Sequence, residues 1–254
     1  MESLDDIRRD LDAIDDELHA LIMRRTGIMH RVAAAKAREN GGAVGFAVRP
    51  GREAQMMRRL LAAHEGELPF PVIYRIWKEL INGQTRVQTN LDLGVAENSA
   101  DPMGLLDLAR DQFASNTPLR RFADDAALID AVANETCLAG VLDARVSGWW
   151  QSLAKARETN QAAPYIIVAL PFVCEANAAP KAYAIGPAAP EPSGDDFTFA
   201  VAPPEASGSF TALDETAAGS FVMLDGFHDP VSLSAELPGA IYMGASAKPL
   251  VIAD

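Results

Sequence analysis

Five polar side chains stand where helical faces should be apolar. Leu4, Ile7, Leu11, Ile14, Leu18 and Leu21 step by three and four residues, the spacing of one helix face. Seven residues beyond Leu18 that line meets Arg25, and eleven further, about three turns on, it meets Lys36. Glu53 precedes Met57 and Leu60 at i+4 and i+7 and faces inward with them on a second helix. Gln84 and Gln88, themselves i and i+4, continue the line Ile73, Trp77 and Leu80 on a third. A buried charge without a partner is strongly disfavoured, so something must satisfy these groups. A purely structural reading pairs Glu53 with Arg25 or Lys36 and leaves the glutamines at frayed helix ends. That reading serves for any one residue but weakens for all five. Two cations exceed one carboxylate, and the surplus positive charge calls for an anionic ligand.

Other chemistries lack their residues. His19, His30, His64 and His228 have no metal-ligand spacing among them, and surface roles fit each better. No glycine-rich phosphate loop follows a strand, and no nucleophile-elbow motif occurs. Cys137 and Cys174 read as small core residues. Two cysteines make no disulfide framework, which favours a reducing compartment. We therefore expect no metal, no cofactor and a cytoplasmic location.

The elements that carry these residues follow from local signals. Ser3 with Asp6 three residues on is a capping-box start. Nothing breaks the periodicity until Gly41-Gly42, so the first helix has about 35 residues and a length of roughly 50 Å. Such a helix cannot bury its seam within its own small domain, so a partner chain is implied. A second helix should start at Pro50, which suits the first helical position. A third should follow Pro69 and Pro71 and run to about residue 90. Beyond Leu91 the texture alternates. Strand-like runs at 91–96, 137–142 and 164–173 alternate with helical segments at 103–113, 123–134 and 149–157, which suggests an α/β layer. Weak strands follow at 197–202, 221–224 and 240–243. The expected fold class is α + α/β: a three-helix intertwined dimeric bundle over residues 1–92, then a small α/β domain over 93–254.

Composition narrows the partners. Hydrophobic residues make up 49% and charged residues 22% of the 254, ordinary for a globular chain. The first 95 residues hold as many bases as acids, so the net charge of −13 lies in the remainder. No sustained basic face exists to bind nucleic acid. No basic segment leads into an apolar block at the start, and no apolar run is long enough to span a bilayer.

The pattern Ile7-Arg8, Ile14-Asp15, Arg25, Lys36, Arg49-Pro50-Gly51-Arg52-Glu53, then Gln84 and Gln88 resembles the all-helical chorismate mutases. It is closest to the mutase domain that opens bifunctional chorismate mutase–prephenate dehydratases, and it covers about residues 4–92. The resemblance implies rearrangement of chorismate to prephenate in aromatic amino acid biosynthesis, by a homodimer with shared active sites. It implies that Arg25 and Arg8 grip the two carboxylates of the substrate, Arg8 reaching in from the partner chain. Lys36 and Gln88 would donate hydrogen bonds to the ether oxygen, and Glu53 would accept one from the ring hydroxyl. Arg52 and Gln84 would line the pocket. Arg49 stands where an aspartate is common, adding charge at the rim, and Gln84 stands where a serine is.

Residues 93–254 weakly resemble a reduced prephenate dehydratase-like domain, through residues 123–132 followed by 137–142 and through 181–186 followed by 192–196. The Thr-Arg-Phe motif on which dehydratase activity depends is absent, and Lys181-Ala182-Tyr183 occupies the comparable place. The expectation is an accessory domain without dehydratase activity, with an aromatic amino acid as a candidate effector. A bifunctional mutase–dehydratase, and a ligand-sensing protein with a vestigial mutase pocket, are the competing readings.

Overall fold

The computed structural model describes residues 2–39, 48–88, 92–174 and 179–252. The chain divides into two compact units, Met1–Ala47 and Val48–Asp254.

Among the described residues the first unit holds one helix, α1 (Leu4–Glu39), 36 residues long. Ser3 Oγ accepts the Asp6 N–H at 3.2 Å, and Asp6 Oδ2 accepts the Ser3 N–H at 3.1 Å. This reciprocal cap satisfies donors that a helix start leaves open. Asp5 and Asp6 in the first turn also suit the positive end of the helix dipole. The seam itself is exposed: Leu4, Ile7, Leu11, Ile14, Leu18 and Leu21 keep 43–62% of their surface. Met23, Ile28 and Val32 are exposed as well.

The second unit begins with α2 (Pro50–Ala62) and α3 (Phe70–Gln88). Pro50 sits at the start of α2, where its missing N–H costs nothing. There follow β1 (Leu93–Ala96), α4 (Pro102–Phe113), β2 (Leu119–Phe122), α5 (Asp125–Ala133), β3 (Ala139–Asp143) and α6 (Trp150–Thr159). After these come β4 (Tyr165–Leu170), β5 (Val173–Cys174), β6 (Ala182–Gly186), β7 (Asp196–Ala202), β8 (Thr211–Thr216) and β9 (Gly219–Asp225). The unit ends with α7 (Pro230–Glu236), β10 (Ile241–Ala247) and β11 (Leu250–Val251). Helices followed by a mixed sheet with helices is the expected fold class.

Nine strands form one sheet in the order β2-β1-β3-β6-β4-β10-β7-β9-β8, and β5 pairs with β11 in a separate ribbon. Strands β2, β1 and β3 run parallel, linked by α4 and α5, as crossover connections require. From β10 to β8 the sheet is antiparallel. Between these parts β6 pairs antiparallel with both β3 and β4, and β4 runs parallel to β10 through one registered pair, Ile166 with Gly244. Gly244 has φ +135°, and a Cβ there would stand 2.2 Å from the Ile166 carbonyl oxygen, so only glycine fits. Past this point the Ala169 N–H turns to Ser246 Oγ at 2.9 Å.

Trp149, Trp150, Tyr183, Phe199 and Phe221 build the main core, with Trp149 stacked on Tyr183 at 4.9 Å between ring centroids. A second cluster joins Ala54, Met57, Phe70 and Tyr74 of α2 and α3 to Phe172, Ala247 and Leu250. Thus α2 and α3 pack on the α/β layer through their own apolar contacts.

The sequence analysis gives no strand at β6, a short buried strand (AYAIG) in the middle of the sheet, and it does not announce β2, β8 or α7. Strands β2 (LRRF) and β8 (TALDET) lie at the edges of the sheet and are polar and largely solvent-facing, without the apolar run that marks a central strand. The run at 164–173 divides into β4 and β5 around Pro171, which has no N–H for a ladder. Among the described residues, no helix is long and apolar enough to cross a membrane.

Candidate functional site

The face that α3 buries is not its apolar stripe. Phe70, Tyr74, Lys78 and Asn82, at four-residue steps, and then Thr85 are buried, whereas Ile73, Trp77 and Leu80 are half-buried and Ile76 is exposed. Burying so polar a line demands partners, and the second unit supplies them. Lys78 Nζ donates to Glu53 Oε2 at 2.5 Å, across from α3 to α2, with 4% and 12% of the two side chains exposed. The Asn82 amide donates to the Lys78 carbonyl at 2.8 Å and to the Gln112 carbonyl of α4 at 3.1 Å. Tyr74 Oη donates to Gln112 Oε1 at 3.2 Å. Burial pushes the Tyr74 hydroxyl well above its usual range, and the nearby Glu53 and Asp111 charges push it the same way. It is therefore a fixed neutral donor.

A cavity of about 10 Å³ adjoins this network. Glu53, Met57, Tyr74, Lys78 and Gln112 line it from the helices, and Ile167, Val168, Ser246 and Ala247 line it from the sheet. That is room for about one water molecule. What the arrangement offers chemically is a buried ion pair whose carboxylate keeps one oxygen for a further donor. Among the described residues Lys78 is the side chain that pairs with Glu53, on Oε2.

The other residues singled out in the sequence are placed as follows. Arg8 lies exposed on the first turns of α1 and pairs with Asp5 at 3.4 Å. Arg25 is half-buried on the same helix. Lys36 belongs to α1 and Gln88 to the end of α3, and the side chains of both lie outside the described residues. Gln84 is half-buried and Arg52 exposed. Arg49 is paired with Glu191, which ties the start of α2 to the segment before β7. Close by, Arg58 of α2 donates to the Ser193 carbonyl and hydroxyl and to the Asp195 carbonyl. The second unit thus brings Glu53 together with Lys78, a residue the sequence reading passed over, rather than with another of the predicted site residues. The signal was available in the spacing Phe70, Tyr74, Lys78, Asn82, but an apolar-stripe criterion selects the neighbouring line through Trp77.

Elsewhere, Asp143 closes β3 and is buried. It accepts from Arg145 Nε at 2.7 Å, Ser99 Oγ at 2.6 Å and the Ala100 N–H at 3.0 Å. Burial raises its carboxyl, but the hydrogen bonds and the Arg145 charge outweigh that and hold it below the usual range. No group of three or more His, Cys, Asp or Glu side chains that could hold a metal occurs among the described residues.

Three comparisons place part of the chain. None of the curated proteins matches it. A solved structure titled "GqqA- a novel type of quorum quenching acylases" is 14% identical, over 61% of this chain and 94% of that one, with a TM-score of 0.38. That score is too low to assign a shared fold. Residues 7–89 match the family model described as chorismate mutase type II, a stretch that runs from α1 to the end of α3. Over those residues the helical part of this chain is similar to the chorismate mutase type II family.

Proposed function

We propose that the protein is a chorismate mutase that acts as a homodimer, with residues 1–92 as the mutase domain and 93–254 as an accessory α/β domain. The family match over 7–89 is the observation that carries this reading, because the matched stretch holds every residue assigned a role. The reaction needs no nucleophile and no proton transfer. One C–O bond breaks as one C–C bond forms within the same molecule, and negative charge grows on the ether oxygen. Catalysis then consists of folding an extended dianion into a chair-like conformer and aiming donors at that oxygen.

In this proposal Arg25, with Arg8 of the second copy, binds the two carboxylates through the planar fork suited to them. Lys36 and Gln88 donate to the ether oxygen, and Glu53 accepts from the ring hydroxyl. Arg52 and Gln84 line the site. Arg49 lies at its rim, although its pairing with Glu191 favours an anchoring role beside that one. The exposed α1 seam supports the dimer, since a helix with a continuous apolar stripe gains little stability alone. The accessory domain is proposed to lack dehydratase activity. Lys181-Ala182-Tyr183 leads into central strand β6, and Ala182 and Tyr183 are buried in the core, out of reach of a substrate.

Incubation of the purified chain with chorismate tests this. Prephenate should accumulate in proportion to enzyme and persist at neutral pH. Enzyme-dependent phenylpyruvate would restore dehydratase activity to the account, and unchanged chorismate would remove the mutase.

A further inference from the structure

Lys78 has no assigned role in the reaction above, yet it is among the most buried charges in the second unit. An ammonium is taken out of water at a cost of several kcal/mol even after relaxation, and that cost is offset only by a close counter-charge and good geometry. Lys78 has both in Glu53, at 2.5 Å. Its backbone is fixed as well, because Asn82 bridges the Lys78 carbonyl to that of Gln112 on α4. Among the described residues, the groups beside Glu53 are the following. Helix α3 presents Lys78 and Tyr74, and α4 presents neutral Gln112 with Asp111 further out. Strands β4 and β10 present Ile167, Val168, Ser246 and Ala247, none of them charged. Among these neighbours Lys78 is the cation in hydrogen-bond contact with Glu53.

We infer that Lys78 is a positioning residue for the proposed rearrangement: its buried ammonium grips Oε2 and holds Glu53 as a fixed carboxylate whose Oε1 accepts the substrate hydroxyl. The inference rests on the proposed mutase function for its readout in turnover. A carboxylate is a pure acceptor, whereas a protonated carboxyl must also place a hydrogen, so the ring hydroxyl would meet a weaker, uncharged acceptor. Lys78 would therefore act through Glu53 without touching the substrate.

The test uses the full chain and the variants Lys78→Met, Lys78→Gln and Lys78→Arg. Without the cation the Glu53 carboxylate loses the partner that fixes Oε2. Lys78→Met should lower kcat/KM for chorismate about tenfold or more, as expected when a group in the site loses its preorganisation. Lys78→Arg should stay close to wild type, since the charge and a donor to Oε2 are kept. A double-mutant cycle of Lys78→Met with Glu53→Gln, read in urea unfolding, should be strongly non-additive. Lys78→Gln replaces Lys78→Met if the latter does not fold. Unchanged turnover in a folded uncharged variant overturns the inference, and so does an additive cycle. A wild type that leaves chorismate unchanged overturns instead the proposed function, while the cycle still decides whether Lys78 holds Glu53.

Discussion

Gly51 and Glu191 meet so closely that a Cβ on Gly51 would stand 2.7 Å from the Glu191 carbonyl oxygen. Position 51 lies in the first turn of α2, between Arg49 and Glu53, and the contact sets how that helix seats on the segment before β7. In a free helix alanine would be better than glycine by about 1 kcal/mol. Here the clash is with backbone, which cannot turn aside, and overpacking of that kind costs about 1–3 kcal/mol.

Gly51→Ala should therefore lower the melting temperature despite its better helix propensity. Gly83, exposed on α3 with nothing within 4 Å of its would-be Cβ, is the internal control. Gly83→Ala should raise stability by up to about 1 kcal/mol. Thermal unfolding of the two variants beside wild type checks both signs, and a stabilised Gly51→Ala would refute the close docking.

Asp143 predicts a pH dependence of stability. Its folded carboxyl lies below the ordinary value of 3.8, net of burial, because Arg145, Ser99 and backbone N–H groups bind the charged form. A depressed value contributes stability that is fully present above 3.8 and disappears as pH falls through the folded value. Asp143→Asn should be less stable than wild type at pH 7, by about 2–4 kcal/mol for a broken, largely buried charge network. The difference should narrow as the solution is acidified below 3.8. Urea unfolding of both proteins across that range is the measurement, and a constant gap would contradict the assignment.

How much of this was legible in the sequence depended on whether burial and hydrophobicity coincide. They coincide on α1, whose seam and Ser3 cap gave the helix nearly to the residue, and in β4, where an apolar run is a central strand. They part company on α3. Its buried line, Tyr74, Lys78, Asn82 and Thr85, is polar because it faces Glu53 and Gln112, so periodicity pointed to Trp77 instead. Glu53 was read as inward-facing, and it is, but the cation that meets it comes from that unread line. Edge strands β2 and β8 escaped for the opposite reason, being polar where they face water. The role of Arg49 shows a third gap: its partner Glu191 is 142 positions away, a pairing that no local pattern encodes.

The proposed site makes its own prediction at Gln88. A neutral amide donates its hydrogen bond at every pH, whereas a glutamate in its place donates only when protonated. Wild-type turnover should be broad through neutrality, and Gln88→Glu should keep activity only on the acidic side. Rate profiles of both proteins with chorismate give the answer. A variant as active at pH 8, well above an ordinary carboxyl, as at acid pH would remove Gln88 from the ether oxygen.

The shared-site dimer can be tested by complementation. Arg8→Ala and Lys36→Ala homodimers should each be nearly inactive. Unfolded together and refolded as a mixture, half of the dimers should be mixed, and in each of these one pocket receives both residues intact. Activity should return to roughly a quarter of wild type, since preorganised charges from both chains are needed together. A mixture shown to contain heterodimers yet as inactive as its parents would rule out Arg8 acting across the interface.

The central claim is that the helical domain rearranges chorismate through charges on its first and second helices. Its most direct test is kcat/KM for chorismate in wild type and in Lys36→Ala, with far-ultraviolet circular dichroism to establish that both are folded. We predict turnover to prephenate by wild type and a loss of about a hundredfold or more in the variant, the scale of one transition-state donor removed. A folded Lys36→Ala protein with near-normal turnover would contradict the site, and a folded wild type with none would contradict the function.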